Sequence, residues 1–379
     1  MAFKCGLLGE KLSHSRSPEI HRTLGAYEYL LYEKSPAEVE DFLINGVWDV
    51  LNVTIPYKKT AFELCSETSE IAKRLENVNV VVKRFDGTIY GDNTDAGGFA
   101  ALVKKTAVSV KGKKCIVLGA GGAGSTAKAV LEELGAESVI TVSRNGEENY
   151  GNIDRHKDAQ ILVNATPVGM YPNVESSPVE LSKFNSLEAV IDLIYNPSPT
   201  KLLSEAMRLN IPAAGGEVML LEQAKKASAY MNANIYLYGA PGSGKSTYAK
   251  RLALEKSLPL IDLDEEIQAR EKMSIPEIFA EQGEKKFREI EKEELIRVSR
   301  LKNHIVALGG GALLDGESRA IAQSTGRVVF IDCGKEELMR RVKLSSRRPL
   351  LSGDAQEKLE KLLDERAEHY LSFKERIRL

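Results

Sequence analysis

The chain has 379 residues, and at about 150 residues per domain this length predicts two or three domains. Hydrophobic residues make up 43% and charged residues 28%, which is typical of globular proteins and excludes a fibrous or disordered chain. Lysine plus arginine (52) nearly balance aspartate plus glutamate (54), so no global field favours nucleic acid and any phosphate-bearing partner needs a local site.

The cysteine positions and the lengths of the apolar runs indicate the cellular compartment of the protein. Cys5, Cys65, Cys115 and Cys333 are scattered without the spacing of metal ligands. The first residues, MAFKCGLLG, contain one lysine and no long apolar stretch, and no uncharged apolar run approaches the roughly 18 residues of a membrane helix. The sequence therefore predicts a cytoplasmic protein that is neither secreted nor embedded in a membrane.

Short apolar runs alternate with helical patterns along the whole chain. The runs are FKCGLLG, KKCIVLG, IYLYG, HIVALG and RVVFID. This alternation predicts an α/β fold with parallel sheets. The best domain boundary follows the helical stretch 219–230, so we expect domains at residues 1–233 and 234–379.

Three polar clusters in the first 95 residues each follow a strand-like run. They are SHSRSP at residues 13–18, NVTIPYK at 52–58 and GDNTD at 91–95. Hydroxyls, amides, one lysine and one aspartate at strand ends suit a small polyhydroxylated ligand held by neutral hydrogen bonds and one ionisable pair. Each cluster alone is also consistent with ordinary turn and capping chemistry.

A glycine-rich loop, GAGGAG at residues 119–124, lies between a strand-like run and a helical pattern. This G-x-G-x-x-G arrangement predicts a dinucleotide site: Gly119 permits the tight turn, Gly121 lets the backbone approach a pyrophosphate, and Gly124 lets helix and strand pack closely. The helix N-terminus also favours an anion. The alternative is a glycine-rich turn selected for packing.

Coenzyme choice depends on the end of the next strand-like run, 138–142. Arg144 follows that run where an acidic residue would bind a free ribose 2′-hydroxyl. An arginine suits a 2′-phosphate, so NADP is favoured over NAD. Glu147 and Glu148 weigh against this interpretation, and a solvated loop arginine is the alternative.

A second phosphate loop, GAPGSGKS at residues 239–246, also lies between a strand-like run and a helical pattern. It matches G-x-x-x-x-G-K-[ST], in which backbone amides cradle phosphates, Lys245 reaches the β- and γ-phosphates, and the Ser246 hydroxyl binds Mg²⁺. We therefore expect a nucleoside triphosphate site, with a chance match or a decayed loop as the alternative.

Eight motifs follow one another in the first 230 residues: SHSRSP, NVTIPYKK, NVN around Asn79, GDNTD, GAGGAG, NATPVGM, DLIYNPSPT and MLLEQA. In this order they make residues 1–230 resemble shikimate dehydrogenase. The resemblance implies that Lys58 and Asp95 are the catalytic pair. It implies that the substrate is bound by Ser15, Ser17, Asn52, Thr54, Asn79, Tyr195 and Gln223. It implies that NADP is bound by Gly119, Gly121, Gly122, Ala123, Gly124, Arg144, Thr166 and Gly216.

The same resemblance implies a substrate region, at residues 1–95 and 206–233, split around a Rossmann region at residues 96–205. His14 and His21 are expected to be structural rather than catalytic.

Further motifs follow the second phosphate loop: DLD at residues 262–264, GEKKFR at 283–288, GGG at 309–311, RRP at 347–349, and an arginine at 366 four residues before Tyr370. In this order they make residues 234–379 resemble shikimate kinase. The resemblance implies a nucleotide site formed by Gly239, Gly242, Ser243, Gly244, Lys245, Ser246 and Thr247. It implies Mg²⁺ near Ser246 and Asp262.

For the phosphoryl acceptor, the resemblance implies that Asp264 contacts the reacting hydroxyl and that Arg288 and Arg366 clamp a carboxylate. Gly310 and Gly311 would shape the pocket, and Arg348 would stabilise charge from a lid. Individually, Arg288 also fits a solvated helix face. Because residues 374–379 provide only a short last strand, we also expect the adenine contacts to be either weakened or supplied by the dehydrogenase-like domain.

The combined prediction is a bifunctional enzyme with a shikimate dehydrogenase-like substrate domain, a Rossmann domain and a P-loop kinase domain. It would reduce 3-dehydroshikimate to shikimate with NADPH, then phosphorylate shikimate with ATP and Mg²⁺. The expected partners are small molecules, not nucleic acid or membrane, and the protein would be a monomer or homodimer. The alternative is an NAD-dependent quinate/shikimate oxidoreductase fused to a decayed, ATP-binding regulatory module.

Overall fold

The computed structural model describes residues 3–13, 15–343 and 355–379 and arranges them around three β-sheets. Each sheet is mainly or wholly parallel, with helices in the connections between strands. The predicted α/β class is therefore confirmed. Within the described ranges, no helix is both long and apolar enough to cross a membrane.

The first sheet has six strands in the order β2-β1-β3-β5-β6-β4. The strands are β1 (Cys5–Gly9), β2 (Tyr29–Glu33), β3 (Val50–Val53), β4 (Glu67–Thr68), β5 (Val80–Lys83) and β6 (Ile89–Asp92). Its helices are α1 (Ser17–Leu24), α2 (Val39–Asn45), α3 (Lys58–Glu63) and α4 (Glu70–Leu75). Strands β1, β2 and β3 are parallel, whereas β5 is antiparallel to β3 and β6. The three polar clusters follow or end β1, β3 and β6, so they meet along this sheet.

The second sheet has five parallel strands in the order β11-β10-β9-β7-β8. They are β7 (Lys114–Leu118), β8 (Ser138–Val142), β9 (Ile161–Asn164), β10 (Ala189–Asp192) and β11 (Ala213–Gly215). The accompanying helices are α5 (Thr94–Lys105), α6 (Gly122–Glu133), α7 (Lys201–Arg208) and α8 (Glu217–Met231), with 3₁₀ turns at Ile153–His156 and Leu181–Lys183.

The second sheet extends further along the chain than the sequence indicates. The expected limit at residue 205 falls inside α7, and β11 pairs in parallel with β10, so the sheet reaches Gly215. Helices α5 and α8 pack closely at Gly98. A Cβ atom added at this position would lie only 2.8 Å from the carbonyl oxygen of Met219. This contact places the start of α8 beside the first turns of α5.

The third sheet has five parallel strands in the order β13-β14-β12-β15-β16. They are β12 (Asn234–Tyr238), β13 (Leu260–Asp262), β14 (Ile305–Ala307), β15 (Gly326–Asp332) and β16 (Arg376–Arg378). Its helices are α9 (Lys245–Lys256), α10 (Leu263–Glu271), α11 (Ile275–Ser299), α12 (Gly316–Thr325), α13 (Lys335–Lys343), α14 (Ala355–Glu365) and α15 (Ala367–Leu371). Helix α11 bends at Gly283, whose φ of 82° leaves the helical region.

The first and third sheets share an apolar cluster. Its members include Val82 and Met231 from the N-terminal part of the chain and Ile235, Leu252 and Ile331 from the C-terminal part. All five side chains are almost fully buried. Removal of this apolar surface from water stabilises the association of the two parts of the chain.

Candidate active sites

The first candidate site contains an ion pair between Lys58 and Asp95. Lys58 begins α3 and Asp95 lies in the first turn of α5, where the helix dipole favours a carboxylate. The Lys58 Nζ is 2.5 Å from the Asp95 Oδ2, and the side chains are 29% and 15% exposed. The pair is therefore held firmly but remains accessible to a small ligand.

A chain of hydrogen bonds connects other predicted substrate residues of this site. The Tyr29 hydroxyl interacts with the Ser17 side chain and donates to the Asn52 Oδ1 at 2.8 Å. The Asn52 amide donates to the Asn79 carbonyl oxygen at 3.3 Å. The Asn79 Oδ1 in turn accepts the Thr94 backbone N–H at 2.7 Å. Tyr29 is the member of this chain that the sequence did not single out.

The remaining predicted substrate residues lie on several elements. The Ser15 hydroxyl accepts the Ser17 backbone N–H at 3.2 Å, and the Thr54 N–H donates to the Leu8 carbonyl oxygen at 2.9 Å. Gln223 lies on α8 against Gly98 of α5. Tyr195 is half-buried in the loop after β10, beside the second sheet. His14 lies outside the described residues.

His21 has a packing role. Its Nδ1 is 2.6 Å from the Tyr27 hydroxyl and its ring stacks on Tyr29 at a centroid distance of 4.1 Å. Burial lowers the pKa of His21 to about 4. The imidazole is therefore neutral in the folded protein near neutral pH.

The first glycine-rich loop joins β7 to α6. Gly119 has a φ of 108°, and a Cβ there would lie 3.0 Å from the Ala165 carbonyl oxygen. A Cβ at Gly124 would clash with the Gly119 carbonyl oxygen, whereas Gly121 and Gly122 face open space. Gly121 is the N-cap of α6, and Ala123 lies in its exposed first turn, so backbone N–H groups are presented to an anion.

Thr166 is held beside this loop by a buried polar pair. The Asn164 Oδ1 accepts the Thr166 N–H at 3.0 Å and its hydroxyl at 2.7 Å. The Asn164 amide donates to Asp192 at 3.0 Å, and burial raises the pKa of Asp192. Gly216 caps α8 close to the Leu193 carbonyl, where a Cβ would clash. The loops after β9 and β10 therefore border the same edge of the sheet.

Arg144 is exposed in a compact loop after β8. The Ser143 N–H donates to the Glu148 carbonyl oxygen at 3.0 Å and closes the loop. The Glu148 carboxylate is 3.0 Å from the His156 Nε2, whereas Glu147 is exposed. One of the two loop acids thus lies against an imidazole, and the arginine is accessible.

The second phosphate loop joins β12 to α9 and requires three glycines with positive φ. Gly239, Gly242 and Gly244 have φ values of 157°, 91° and 92°. The Lys245 Nζ donates to the Gly239 and Ala240 carbonyl oxygens at 2.9 and 3.0 Å. Ser243, between these glycines, is fully buried.

Two oxygen atoms that could bind a metal ion, one from Ser246 and one from Asp262, lie together at the start of α9. The Ser246 hydroxyl donates to the Asp262 Oδ2 at 2.7 Å, and the Asp262 Oδ1 accepts the Asp264 N–H at 3.2 Å. Hydroxyl and carboxylate oxygens suit Mg²⁺, which usually takes few protein ligands and completes its shell with phosphate and water. The donor set fits that ion, although the described residues contain no group of three His, Cys, Asp or Glu that could hold a metal alone.

A cavity of about 420 Å³ extends from this loop towards α11 and the loop after β14. It brings together most of the residues predicted for the C-terminal domain. They are Gly242, Gly244, Lys245, Ser246, Thr247, Asp262, Asp264, Arg288, Gly310, Gly311 and Arg366. Arg348 lies outside the described residues. Phosphate-loop groups and two guanidinium groups thus line one cavity.

Glu291 is a cavity residue that the sequence did not single out. The Arg288 Nη1 donates to its Oε2 at 2.7 Å. Burial raises the pKa of Glu291, and a Cβ at Gly309 would clash with its Oε1. The spacing of three residues on a helix was the available signal, but neighbouring alternating charges obscured it.

These sites define a two-part α/β protein, with a dinucleotide-type glycine loop and a polar side-chain cluster in the N-terminal part and a P-loop beside a cavity in the C-terminal part. The family model for the shikimate dehydrogenase substrate binding domain matches residues 7–81, and the shikimate kinase model matches residues 241–378. The chain is 36% identical over 245 residues to shikimate dehydrogenase (NADP(+)) of Clostridium beijerinckii, which covers 59% of this chain and 89% of that relative. The chain belongs to the shikimate dehydrogenase family.

Solved structures agree with this assignment over the N-terminal part. Shikimate 5-dehydrogenase from Thermus thermophilus, in complex with NADP(H) and shikimate, gives a TM-score of 0.54 at 30% identity, covering 60% of this chain and 92% of that chain. Quinate dehydrogenase from Corynebacterium glutamicum, in complex with NAD, gives 0.54 at 27% identity with the same two coverages. The predicted resemblance to both families is therefore confirmed, the C-terminal part through its family model.

Proposed function

We propose that this chain is a bifunctional enzyme that reduces 3-dehydroshikimate to shikimate with NADPH and then phosphorylates shikimate with ATP. The observation that carries the bifunctional proposal is the C-terminal cavity, where Lys245, Asp264, Arg288 and Arg366 face one volume of about 420 Å³. A cavity lined by a phosphate loop and two guanidinium groups suits a carboxylate-bearing phosphoryl acceptor.

In the reductive site, Lys58 and Asp95 are the proposed catalytic pair. NADPH would supply the hydride to the ketone carbon. The Lys58 ammonium, oriented by Asp95 at 2.5 Å, stabilises the developing alkoxide and transfers a proton to it. The ring hydroxyls and carboxylate of the substrate would be bound by the proposed set Ser15, Ser17, Asn52, Thr54, Asn79, Tyr195 and Gln223.

NADPH is the proposed coenzyme because Arg144 is the exposed cation beside the dinucleotide loop. A guanidinium forms forked, charge-assisted hydrogen bonds with a phosphate. The adjacent Glu148 carboxylate lies 3.0 Å from the His156 Nε2. The proposed pyrophosphate contacts are the backbone groups of Gly119, Gly121, Gly122, Ala123 and Gly124, with Thr166 and Gly216 on the nicotinamide side.

In the phosphoryl-transfer site, the proposed nucleotide contacts are Gly239, Gly242, Ser243, Gly244, Lys245, Ser246 and Thr247. Mg²⁺, held through Ser246 and Asp262, would offset phosphate charge. Asp264 is the proposed acceptor of the proton from the reacting hydroxyl. Arg288 and Arg366 bind the carboxylate of the acceptor, and Arg348 is the proposed lid arginine.

A coupled assay tests the proposal directly. Wild-type protein receives 3-dehydroshikimate, NADPH, ATP and Mg²⁺ while NADPH loss and phosphorylated product are followed together. We expect one phosphate transferred for each shikimate consumed in the second step. The matched Lys245→Ala variant should still oxidise NADPH but accumulate shikimate. NADPH loss without any phosphorylated product in the wild type would contradict the kinase half of the proposal.

A second candidate is an NAD-dependent quinate/shikimate oxidoreductase carrying an ATP-binding regulatory module. The observation in its favour is the exposed Glu147 in the coenzyme loop, together with the similarity to a quinate dehydrogenase solved with NAD. Steady-state rates with shikimate against quinate, and with NADPH against NADH, separate the candidates. A preference for quinate and NADH would favour the second.

We also propose that the protein acts in the cytoplasm on small molecules alone, as a monomer or homodimer. All four cysteines are unpaired and none is fully exposed, as expected in a reducing compartment.

A further inference from the structure

Tyr238 has an unusual position for a tyrosine. It is the last residue of β12, it is fully buried, and it directly precedes Gly239 of the phosphate loop. The Gly239 carbonyl oxygen accepts a hydrogen bond from the Lys245 Nζ at 2.9 Å. The strand that carries Tyr238 is therefore directly connected to the proposed nucleotide site.

The hydroxyl of Tyr238 reaches the loop on the other side of the cavity. The Gly310 carbonyl oxygen accepts hydrogen bonds from the Arg366 Nη1 at 3.0 Å and the Tyr370 hydroxyl at 3.1 Å. The Tyr238 hydroxyl lies 3.4 Å from the same oxygen and 3.1 Å from the His369 Nε2. The Gly310 carbonyl oxygen thus has two close donors, and the Tyr238 hydroxyl lies near both this oxygen and His369.

The distances assign a direction to these hydrogen bonds. A carbonyl oxygen has two lone pairs, and the two shorter bonds to Gly310 occupy both. The Tyr238 proton is then best placed towards the His369 Nε2, which accepts it in the neutral imidazole. Burial, with the positive charges of Arg319 and Arg366, lowers the pKa of His369 and maintains that neutral form. Tyr238 and His369 therefore form a polar bridge beneath Gly310.

Fixing the Gly310 carbonyl also fixes the N–H of the same peptide group, which belongs to Gly311. In a trans peptide the carbonyl of one residue and the N–H of the following residue point in opposite directions. The Gly311 N–H therefore points away from the wall formed by Arg366, Tyr370 and Tyr238. Gly310 and Gly311 both line the cavity, so their orientation determines the donors presented to the acceptor.

We propose that Tyr238 and His369 are positioning residues for the acceptor subsite of the kinase cavity. Their hydrogen bond holds α15, and with it Arg366, in register with the loop at residues 309–311. This inference rests on the proposed kinase function and deepens it, since it assigns acceptor affinity to two residues that do not line the cavity.

Packing alone does not require the hydroxyl. The Tyr238 ring lies within a cluster formed by Phe330, Tyr370 and Phe373, at centroid distances of 6.2, 5.8 and 5.1 Å. A phenylalanine at position 238 would preserve these ring contacts. A substitution that removes only the hydroxyl group therefore tests the hydrogen bond without changing the ring packing.

The decisive variant is Tyr238→Phe, compared with the matched control Tyr236→Phe. Tyr236 lies on the same strand, is equally buried, and loses a hydroxyl that is hydrogen-bonded to Thr325 at 2.9 Å. In Tyr238→Phe we expect the KM for shikimate in phosphorylation to rise about fivefold, as for loss of one net hydrogen bond. The kcat, the KM for ATP and the dehydrogenase rate should stay within about twofold of the Tyr236→Phe values.

Variants at position 369 test the partner. His369→Leu should reproduce the rise in KM, and the double variant should be no worse than either single variant, since both remove one interaction. His369→Gln retains an acceptor and should recover most of the wild-type KM. A KM for shikimate equal to the wild-type value in all of these variants, or parallel losses in both activities, would overturn the inference.

Hydrogen exchange decides the inference even if the wild type phosphorylates nothing, a result that would remove the proposed function itself. In the ligand-free protein, amides of residues 309–313 should exchange faster in Tyr238→Phe than in Tyr236→Phe, because the loop loses its support. Identical exchange in the two variants would show that the bridge does not position this loop.

Discussion

The carboxylate of Glu375 accepts a hydrogen bond from the Phe85 backbone N–H at 3.2 Å, across 290 residues of chain. The same carboxylate pairs with Arg327 at 2.5 Å, and this guanidinium donates to the Lys83 carbonyl oxygen at 3.0 Å. The Glu375 and Arg327 side chains are only 10% and 12% exposed. A nearly buried ion pair of the third sheet therefore binds the end of a strand in the first sheet.

Loss of this carboxylate should destabilise the N-terminal and C-terminal parts of the chain together. Glu375→Gln leaves the Arg327 guanidinium buried without its counter-charge, which we expect to cost about 3 kcal/mol of unfolding free energy. The control is Lys374→Gln, which removes a 74% exposed partner of Glu67 and should cost less than about 1 kcal/mol. Thermal inactivation of the two activities should occur at the same lowered temperature in Glu375→Gln. Inactivation of the kinase alone would argue against a shared unfolding unit.

Lys58→Ala should abolish reduction and preserve phosphorylation. The ammonium group that pairs with Asp95 is lost, and general acid catalysis typically contributes about 10²- to 10⁴-fold in rate. Lys59→Ala is the matched control, because Lys59 is 73% exposed and pairs only loosely with Glu63 at 4.0 Å. Steady-state kinetics of each reaction provide the measurement. A folded Lys58→Ala protein that retains rapid reduction would refute the assignment of this lysine.

Arg144→Ala should weaken the preference for NADPH over NADH. Loss of one guanidinium–phosphate contact is expected to lower kcat/KM for NADPH about tenfold and to leave the value for NADH nearly unchanged. Arg155→Ala serves as the control, since Arg155 is an exposed arginine in the neighbouring 3₁₀ turn. Equal losses with the two coenzymes would mean that Arg144 does not contact the 2′-phosphate.

The buried His21 should make the free energy of unfolding depend on pH. Its pKa is about 4 in the folded protein and about 6.5 in the unfolded chain, so the unfolded chain takes up the proton first as pH falls. The contribution of His21 to the free energy of unfolding is fully present above about pH 6.5, decreases between pH 6.5 and 4, and levels off below pH 4. The total decrease is at most about 3 kcal/mol.

Chemical denaturation at several pH values tests this expectation. His21→Gln should show a shallower decrease in unfolding free energy between pH 6.5 and 4 than the wild type. His304, whose Nδ1 contacts the Lys302 carbonyl oxygen near the surface, provides the control variant His304→Gln. An unchanged slope in His21→Gln would show that another group dominates the acid response.

The features predicted from sequence are those encoded locally. Both phosphate loops depend on glycines and a lysine at fixed spacing between a strand and a helix, so short-range pattern is sufficient to place them. The residues that line the C-terminal cavity were predicted from motifs far apart in the chain, through a family resemblance rather than through physical derivation.

The features missed depend on tertiary neighbours. Tyr29 and Tyr238 lie in apolar strand-like runs, where a tyrosine looks like any other core residue until its hydroxyl partner is known. Strand β11 consists of Ala213, Ala214 and Gly215, which have low strand propensity, so its pairing with β10 left no sequence signal. The predicted limit of the Rossmann region at residue 205 differs from the sheet for that reason.

The junction between the two parts of the chain is very short. Asn232 and Ala233 alone separate α8 from β12. Asn232 is buried, donates to the Leu24 carbonyl oxygen at 3.1 Å and accepts from the Asn303 amide at 3.1 Å. A swinging motion would have to break these bonds, so the spacing between the two proposed sites is set by the fold. If both sites are active, product released at the first site would reach the second by diffusion over a fixed distance and not through a swinging motion of one domain.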